Sequence, residues 1–330
     1  MGIPDIDASI ERFESFDGTL IAAASWGDPD ATTVIFSNGI CCSDTYWTFL
    51  QPVLNEQGYR TIFFDYRGHN RSGRPGNPNE VTLPAHARDL WATADHFDVK
   101  EAVLIGHSMG VQTTFEAYRQ APERVKGIVA LAGPFEYPLN NLYMTPIGAI
   151  LLAGFELTWF HSPMAVRSLW QASGLDTRAM VTLAHLIGAV SRHAPDDLVD
   201  EYFKVVSELD PLLVLSFMQA MQMHSARDVL MRCDVPVLQI AGARDVLTPL
   251  PRQREMASLL ADVRFEIYGK GSHTLPIDDP DRINARVTQF LDELAAKDAG
   301  QVKGVTAGRK TKKSAAASKS AAASKSAAAS

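Results

Sequence analysis

The sequence predicts an α/β fold: a mostly parallel sheet of about eight strands flanked by helices, with an inserted helical lid. Three observations support this prediction. Short apolar runs alternate with stretches of helical periodicity, an apparent hairpin lies near the start of the chain, and roughly a hundred residues of helical pattern separate two of the later runs. A chain of 330 residues is long enough to bury the core of such a domain.

The strands follow from the apolar runs. Alternating residues in 10–16 and 20–26, joined by Asp17-Gly18, predict a hairpin at one edge of the sheet. The later runs are apolar on both faces, as expected for parallel strands covered by helices on each side. These predicted strands are 34–37, 61–64, 102–105, 127–132, 235–241 and 263–268.

Helical stretches occupy the intervals between the strands. The predicted helices of the core are 45–57, 82–98, 109–120, 249–260 and 280–296. The long interval after strand 127–132 has helical periodicity and many apolar side chains, so it predicts an inserted subdomain placed to cover one edge of the sheet. The expected organisation is a core at 1–133 and 233–297, a helical lid at 134–232 and a basic tail at 298–330.

Composition limits the class of protein. The three cysteines, Cys41, Cys42 and Cys233, cannot form a disulfide framework, which favours reduced thiols and a cytoplasmic location. The first residues show no export signal. The longest apolar stretch, 147–160, contains Glu156 and is too short to span a bilayer. Nothing in the sequence indicates an oligomeric state.

The last thirty residues differ from the rest of the chain. Residues 301–330 repeat a Ser-Ala-Ala-Ala-Ser-Lys unit and carry seven Lys or Arg with no Asp or Glu. Because the whole chain has a net charge of −7, residues 1–300 together carry −14. This composition predicts disorder. Weak polyanion binding is one hypothesis for this tail and a solubilising role is the other. The absence of aromatic residues argues against sequence-specific recognition of nucleic acid.

A Gly-x-Ser-x-Gly sequence, Gly106-His107-Ser108-Met109-Gly110, directly follows one predicted strand and precedes a predicted helix. In a sharp strand-to-helix turn, glycines allow the close backbone packing that exposes the central hydroxyl at the edge of the sheet. Ser108 is therefore the candidate nucleophile. An ordinary glycine-bounded turn is the alternative for the five residues taken alone.

A serine hydroxyl needs a base and an orienting acid before it can act as a nucleophile at neutral pH. Asp245 follows strand 235–241, and His273 follows strand 263–268, in the chain order expected for this topology. We therefore predict Asp245 as the acid and His273 as the base. Glu136, just after strand 127–132, is the competing acid, and His107 is expected to pack or hydrogen-bond beneath the turn.

An oxyanion formed during acyl transfer needs backbone N–H donors. Met109 supplies one, since it directly follows the nucleophile. The second is expected from the loop after strand 34–37, where Gly39 allows a turn that presents the N–H of Ile40 or of Cys41. Cys41 and Cys42 lack histidines at ligand spacing, so we expect buried apolar packing, with no metal or cofactor.

Over about 10–297 the chain resembles the α/β-hydrolase fold family. The motifs are Asn38-Gly39 with Ser43 and Trp47, Asp65-Tyr66-Arg67-Gly68-His69-Asn70-Arg71-Ser72, the turn at Ser108, Gly242-Ala243-Arg244-Asp245 and Gly271-Ser272-His273. The resemblance implies Ser108 as nucleophile, Asp245 as acid, His273 as base and an oxyanion hole from Ile40 and Met109. It also implies that Asp65 and Arg67 brace a loop. Asn38 replaces the usual histidine, and Asn70 replaces a glycine and can adopt a left-handed conformation.

The predicted function is a serine hydrolase that cleaves an ester or thioester through an acyl-enzyme. Serine at 108 argues against the branches of the α/β-hydrolase fold family in which a carboxylate is the nucleophile. The lid contains Met218, Met221, Met223 and Met231, whose adaptable side chains favour a small-molecule substrate with an apolar acyl or alcohol portion. Packing within the lid itself is the alternative role for these methionines. Lactone or carbon–carbon hydrolysis, acyl transfer and a cofactor-free haloperoxidase activity would use the same residues, and a degenerate hydrolase that only binds ligand is the non-enzymatic alternative.

Overall fold

The computed structural model describes residues 9–172 and 177–300. The predicted disorder of the tail falls on 301–330, which lie outside the described residues. The chain divides into two units, residues 1–290 and 291–330. The first contains the sheet and nearly all of the helices, and the described part of the second is the end of the last helix.

One sheet of eight strands forms the centre of the first unit, as the sequence predicts. The spatial order is β1-β2-β4-β3-β5-β6-β7-β8, with β1–β2 and β2–β4 antiparallel and all other pairs parallel. The strands are β1 (Glu11–Glu14), β2 (Leu20–Trp26), β3 (Thr33–Ser37), β4 (Arg60–Phe64), β5 (Ala102–His107), β6 (Val125–Leu131), β7 (Val237–Gly242) and β8 (Val263–Tyr268).

Twelve α-helices are found among the described residues. They are α1 (Leu50–Glu56), α2 (Leu83–His96), α3 (Met109–Gln120), α4 (Ile147–His161), α5 (Pro163–Ala172), α6 (Thr177–Leu186), α7 (Asp196–Glu208), α8 (Pro211–Met223), α9 (Arg227–Leu230), α10 (Leu250–Leu259), α11 (Leu275–Asp278) and α12 (Pro280–Asp298). Every predicted core helix is present, although the predicted stretch 45–57 is divided into a 3₁₀ turn at Asp44–Trp47 and α1.

Burial explains the strand pattern. All residues of β3, β4, β5 and β7 are buried, which is why these strands are apolar on both faces. The predicted hairpin forms β1 and β2 at the edge, with Gly18 in the left-handed region at φ 79° between them. Most of β1 is exposed, as expected for an edge strand.

The predicted helical insertion lies between β6 and β7 and contains α4 to α9. None of its described helices is by itself both long and apolar enough to cross a bilayer. The pair Ile147–His161 and Pro163–Trp170 meets the length and composition criteria only when joined, and the two helices are bent by 113° at their junction.

A buried ion pair holds the loop after β4. Arg67 is fully buried and makes two hydrogen bonds to Asp89 of α2, at 2.6 and 2.7 Å, and one to Asp17 at 2.8 Å. Asp65 accepts a 2.7 Å hydrogen bond from Arg71, and Asn70 occupies the left-handed region at φ 40°. Arg67 therefore connects this loop to α2 and to the hairpin, whereas the Asp65 side chain bonds within the loop itself.

We expect Arg67→Met to destabilise the fold by about 3 to 5 kcal/mol, because Asp89 would stay buried without its cation. The measurement is the free energy of unfolding in urea. Arg74→Met is the matched control, since Arg74 is 64% exposed in its pair with Asp210 and should contribute less than about 1 kcal/mol. Equal losses in the two variants would contradict the assigned role of Arg67.

Candidate active site

The turn between β5 and α3 consists of the single residue Ser108. Its backbone lies at φ 54° and ψ −122°, a strained conformation for a residue with a side chain. The flanking glycines make this turn possible. A Cβ added to Gly106 would lie 2.5 Å from the Gly110 carbonyl oxygen, and one added to Gly110 would lie 2.0 Å from that of Ser37.

The structure brings Ser108, His273 and Asp245 together at one edge of the sheet. The His273 Nε2 and the Ser108 Oγ are 2.9 Å apart, and the His273 Nδ1 lies 3.0 Å from an Asp245 carboxylate oxygen. Ser108 follows β5, Asp245 follows β7 and His273 follows β8. These strands are parallel, so their carboxyl ends lie at the same edge.

The direction of the hydrogen bonds follows from the donors available. An ionised carboxylate can only accept, so His273 donates from Nδ1 to Asp245. In the neutral ring, Nε2 then carries the lone pair that accepts the Ser108 hydroxyl proton. All three side chains are buried or nearly so, which strengthens these interactions by excluding water.

The surroundings of Asp245 favour its ionised carboxylate. Burial acts to raise the pKa of its carboxyl, but the neighbouring His273 and the hydrogen bonds from His273 and Thr248 outweigh burial and lower the pKa below its usual range. The Leu247 and Thr248 backbone N–H groups each donate at 2.8 Å, and the Thr248 hydroxyl donates at 2.5 Å. Sequence reasoning missed Thr248, although a threonine three residues after an aspartate is a known local hydrogen-bonding pattern.

The carboxylate of Glu136, the competing candidate for the acid, pairs with residues other than His273. Its carboxylate accepts hydrogen bonds from Arg227 at 2.6 Å, Arg252 at 2.9 Å and Ser225 at 2.9 Å. Burial acts to raise the pKa of Glu136, but these hydrogen bonds outweigh it and lower the pKa to about 2. The acid that contacts His273 is thus Asp245, and Glu136 connects the start of the insertion to α9 and α10.

His107 lies beneath the turn and contacts the segment that carries His273. Its Nε2 is 2.9 Å from the His273 carbonyl oxygen and 3.0 Å from the Tyr46 hydroxyl, and its ring stacks on Tyr46 with centroids 4.2 Å apart. Burial and the charge of His273 lower the pKa of His107 to about 3, so the ring is neutral. The hydrogen bond connects the β5 turn directly to the His273 backbone.

Hydrogen bonding in the loop after β3 distinguishes Ile40 from Cys41, the two candidates for the second oxyanion donor. The Cys41 N–H donates to the His69 Nε2 at 3.0 Å. By contrast, no acceptor for the N–H of Ile40 or of Met109 is found in the part of the chain that the structure describes. Of the donors considered from the sequence, Ile40 and Met109 are therefore the pair available to a ligand.

Asn38 fixes this loop from below. Its side-chain oxygen accepts from the Trp47 indole N–H at 2.5 Å, and its backbone carbonyl accepts from the Tyr66 hydroxyl at 3.0 Å. Gly39 packs tightly, since an added Cβ would lie 3.2 Å from the Ser108 Cβ. Asparagine at 38 is consequently a structural part of the loop whose next residues face Ser108.

A cavity of about 430 Å³ opens beside Ser108 and His273. Apart from these residues, His107 and a few hydroxyl and thiol groups, its lining is apolar, and most of it comes from the helical insertion. Met218 and Met221 of α8 line the cavity, as do Leu183 of α6 and Phe203 and Val206 of α7. Met223 and Met231 do not, being 82% and 59% exposed. The expectation of an apolar role at the site thus fits two of the four methionines.

The three cysteines are buried and unpaired. Burial raises the pKa of Cys41, and it raises those of Cys42 and Cys233 to about 12, so the thiols stay protonated. Among the described residues, no group of histidine, cysteine or acidic side chains has the arrangement of a metal site. The cysteines pack as small apolar groups.

Comparison with known proteins gives concordant results. Residues 32–280 match the model of the alpha/beta hydrolase fold family. A non-heme chloroperoxidase of Streptomyces lividans is 36% identical over 292 residues, covering 83% of this chain and 97% of the relative. A candidate carbamate hydrolase, RutD, of Caulobacter sp. (strain K31) is 25% identical over 271 residues, covering 81% and 93%.

An esterase from Exiguobacterium antarcticum has the same fold, with a TM-score of 0.68 and 19% identity, over 85% of this chain and 98% of that structure. The match to the family model covers most of the chain, and the mostly parallel eight-stranded sheet agrees with it. The chain therefore belongs to the α/β-hydrolase fold family.

Proposed function

We propose that the protein is a serine hydrolase that cleaves a carboxylic ester or thioester with an apolar portion, through an acyl-enzyme on Ser108. The observation that carries this proposal is the hydrogen-bonded chain from Ser108 through His273 to Asp245, which borders an apolar cavity of about 430 Å³. This volume lies in the range of small-molecule sites.

The first half of the reaction forms the acyl-enzyme. The Ser108 Oγ attacks the carbonyl carbon while the His273 Nε2 takes its proton, and Asp245 stabilises the imidazolium. The negative oxygen of the tetrahedral intermediate binds the N–H groups of Ile40 and Met109. His273 then gives the proton to the departing alcohol or thiol, which leaves the acyl group on Ser108.

The second half consumes water. His273 takes a proton from the water as it attacks the acyl carbon, and the same two N–H groups bind the second oxyanion. Collapse returns the proton to Ser108 and releases the carboxylic acid. No other reactant is required.

We assign residues 134–232 the role of a lid, because this insertion, chiefly through α6, α7 and α8, supplies most of the apolar lining beside Ser108. The three buried, unpaired thiols favour a reducing compartment, so we place the reaction in the cytoplasm.

A second candidate activity is perhydrolysis, favoured by the chloroperoxidase relative. Hydrogen peroxide would replace water as the attacking group on the acyl-enzyme and release a peracid, which then oxidises halide to hypohalous acid and returns the carboxylic acid. Halide oxidation that needs both peroxide and a short carboxylic acid, and that is lost in Ser108→Ala, would support it.

Lactone hydrolysis, carbon–carbon hydrolysis and acyl transfer use the same residues, whereas a degenerate hydrolase would bind ligand without turnover.

Ser108→Ala should lower kcat by at least about 10³-fold and abolish labelling by a fluorophosphonate, because the variant has no nucleophile. The matched control is Ser207→Ala, whose hydroxyl bonds to the Lys204 carbonyl on an exposed part of α7. Equal labelling of the wild type and Ser108→Ala, or labelling of neither, would refute the proposed nucleophile.

Asp245→Asn and Glu136→Gln should separate the two acids. We expect Asp245→Asn to lower kcat by about 10³- to 10⁴-fold, since an amide no longer holds His273 in the required tautomer. Glu136→Gln should keep kcat near that of the wild type. The reverse result would identify Glu136 as the acid.

Glu136→Gln should instead lower stability, by about 1 to 2 kcal/mol at neutral pH. The lowered pKa of Glu136 stabilises the fold above the unfolded-state value near 4.5, and this contribution is lost as the pH falls toward 2. The difference in unfolding free energy between wild type and variant should therefore shrink between pH 5 and pH 2. A difference that does not change with pH would contradict the assigned role of the ion pairs, and Glu123→Gln on the exposed surface is the control.

A panel of esters with graded acyl chains should show kcat/KM rising by up to about fourfold for each added methylene until the cavity is filled. An ester with a terminal carboxylate should be a poor substrate, because the apolar lining would have to bury its charge. A preference for short or charged acyl groups would contradict the proposed substrate class.

A further inference from the structure

The exposed side of α4 and α5 is unusually apolar. Seventeen large apolar side chains are exposed among the described residues, and thirteen of them lie between positions 137 and 187. Seven belong to α4 and α5, with exposures from 46% to 80%, and together they define what we call the apolar face. Its members are Ile147, Ile150, Leu151, Leu157, Phe160, Met164 and Leu169.

Charge is almost absent from this face. From 138 to 166 the only acidic or basic residue apart from His161 is Glu156, whose carboxylate accepts a 2.9 Å hydrogen bond from Gln219. Arg167 lies at the border, where it contacts Asp210 at 3.3 Å and the Trp159 ring. Contiguous apolar surfaces of this kind on folded chains mark interaction sites.

The apolar face adjoins the entrance to the cavity. Tyr143, just before α4, donates a 2.6 Å hydrogen bond to the Ile187 carbonyl. Ile187 and Leu183 both line the cavity and are 44% and 45% exposed, so the cavity opens to the outside at α6. The face therefore lies beside the part of the cavity lining that is exposed to the outside.

The basic tail does not supply a cover for this face. Residues 301–330 contain only Val302 and Val305 as large apolar residues, whereas they carry seven positive charges. A nucleic acid would match the charges and leave the apolar face exposed. An anionic lipid surface complements both features, because stable association with a membrane surface commonly combines apolar insertion with a basic segment.

We propose that the apolar face of α4 and α5 rests in the headgroup region of an anionic lipid surface, with the basic residues of 301–330 adding electrostatic attraction. The 113° bend between the two helices fits a pair that lies along the interface. Lipid binding does not depend on the chemistry at Ser108, so it can be measured apart from the proposed hydrolase activity.

The test is co-sedimentation of the full chain with vesicles of phosphatidylcholine, alone or mixed with phosphatidylglycerol. We expect binding to the mixed vesicles that weakens at high salt. Leu151→Glu combined with Phe160→Glu should lower the partition coefficient at least about tenfold on the mixed vesicles. Neutralising the seven basic residues of the tail should lower binding to the mixed vesicles to the level on phosphatidylcholine alone.

The control is Met223→Glu combined with Met231→Glu, which changes two equally exposed apolar residues of the same insertion outside the face. It should bind vesicles like the wild type. The free energy of unfolding in urea should be close to that of the wild type in both double variants, which shows that each is folded.

Three results would overturn the proposal. The first is wild-type protein that binds neither vesicle, and the second is face and control variants that bind alike. The third is a dimer in light scattering that Leu151→Glu with Phe160→Glu converts to a monomer, without vesicle binding by either, which would assign the face to a second copy of the chain. Retention on DNA that depends on the tail, with no effect of the tail on vesicle binding, would refute its proposed part.

Discussion

The close approach of Gly110 to the end of β3 is the constraint on which the geometry of the site depends. Because only a hydrogen fits between the Gly110 Cα and the Ser37 carbonyl, α3 can begin directly against the loop that follows β3. Ser108, two residues before this contact, lies at positive φ. Ile40 and Met109 belong to the two segments that pack together here, since a Cβ added to Gly39 would lie 3.2 Å from the Ser108 Cβ. His107, just before the turn, then bonds to the His273 carbonyl, so three strand ends are connected through one crowded turn.

Electrostatics at the site are simple because other charges are bound elsewhere. Arg67 forms ion pairs with Asp89 and Asp17. Glu136 forms ion pairs with Arg227 and Arg252, so neither network draws on the residues around Ser108. Asp245 is left as the carboxylate against His273, held by hydrogen bonds from the chain immediately after it. A single buried charge with fixed donors can orient an imidazole without large rearrangement during the reaction.

Much of this could be predicted from the sequence, and the gaps have physical causes. Parallel strands leave apolar runs, and glycines at fixed spacing reveal the turn, so the sheet and the position of Ser108 were accessible. The choice between Asp245 and Glu136 was not, because it depends on Arg227, ninety-one residues from Glu136. The choice between Ile40 and Cys41 depended on the distant His69 in the same way.

The prediction for the four methionines was incomplete for a different reason. Met218 and Met221 are three residues apart on α8 and share a face toward the cavity, whereas Met223 lies on another face. Helical spacing could have separated them, but only once the bounds of α8 were known. The lining that results also bears on product release, since it offers no lysine or arginine to a newly formed carboxylate. Cleavage of a neutral ester would then create a charge that this apolar cavity solvates poorly, and the reaction itself would weaken the binding of its acid product.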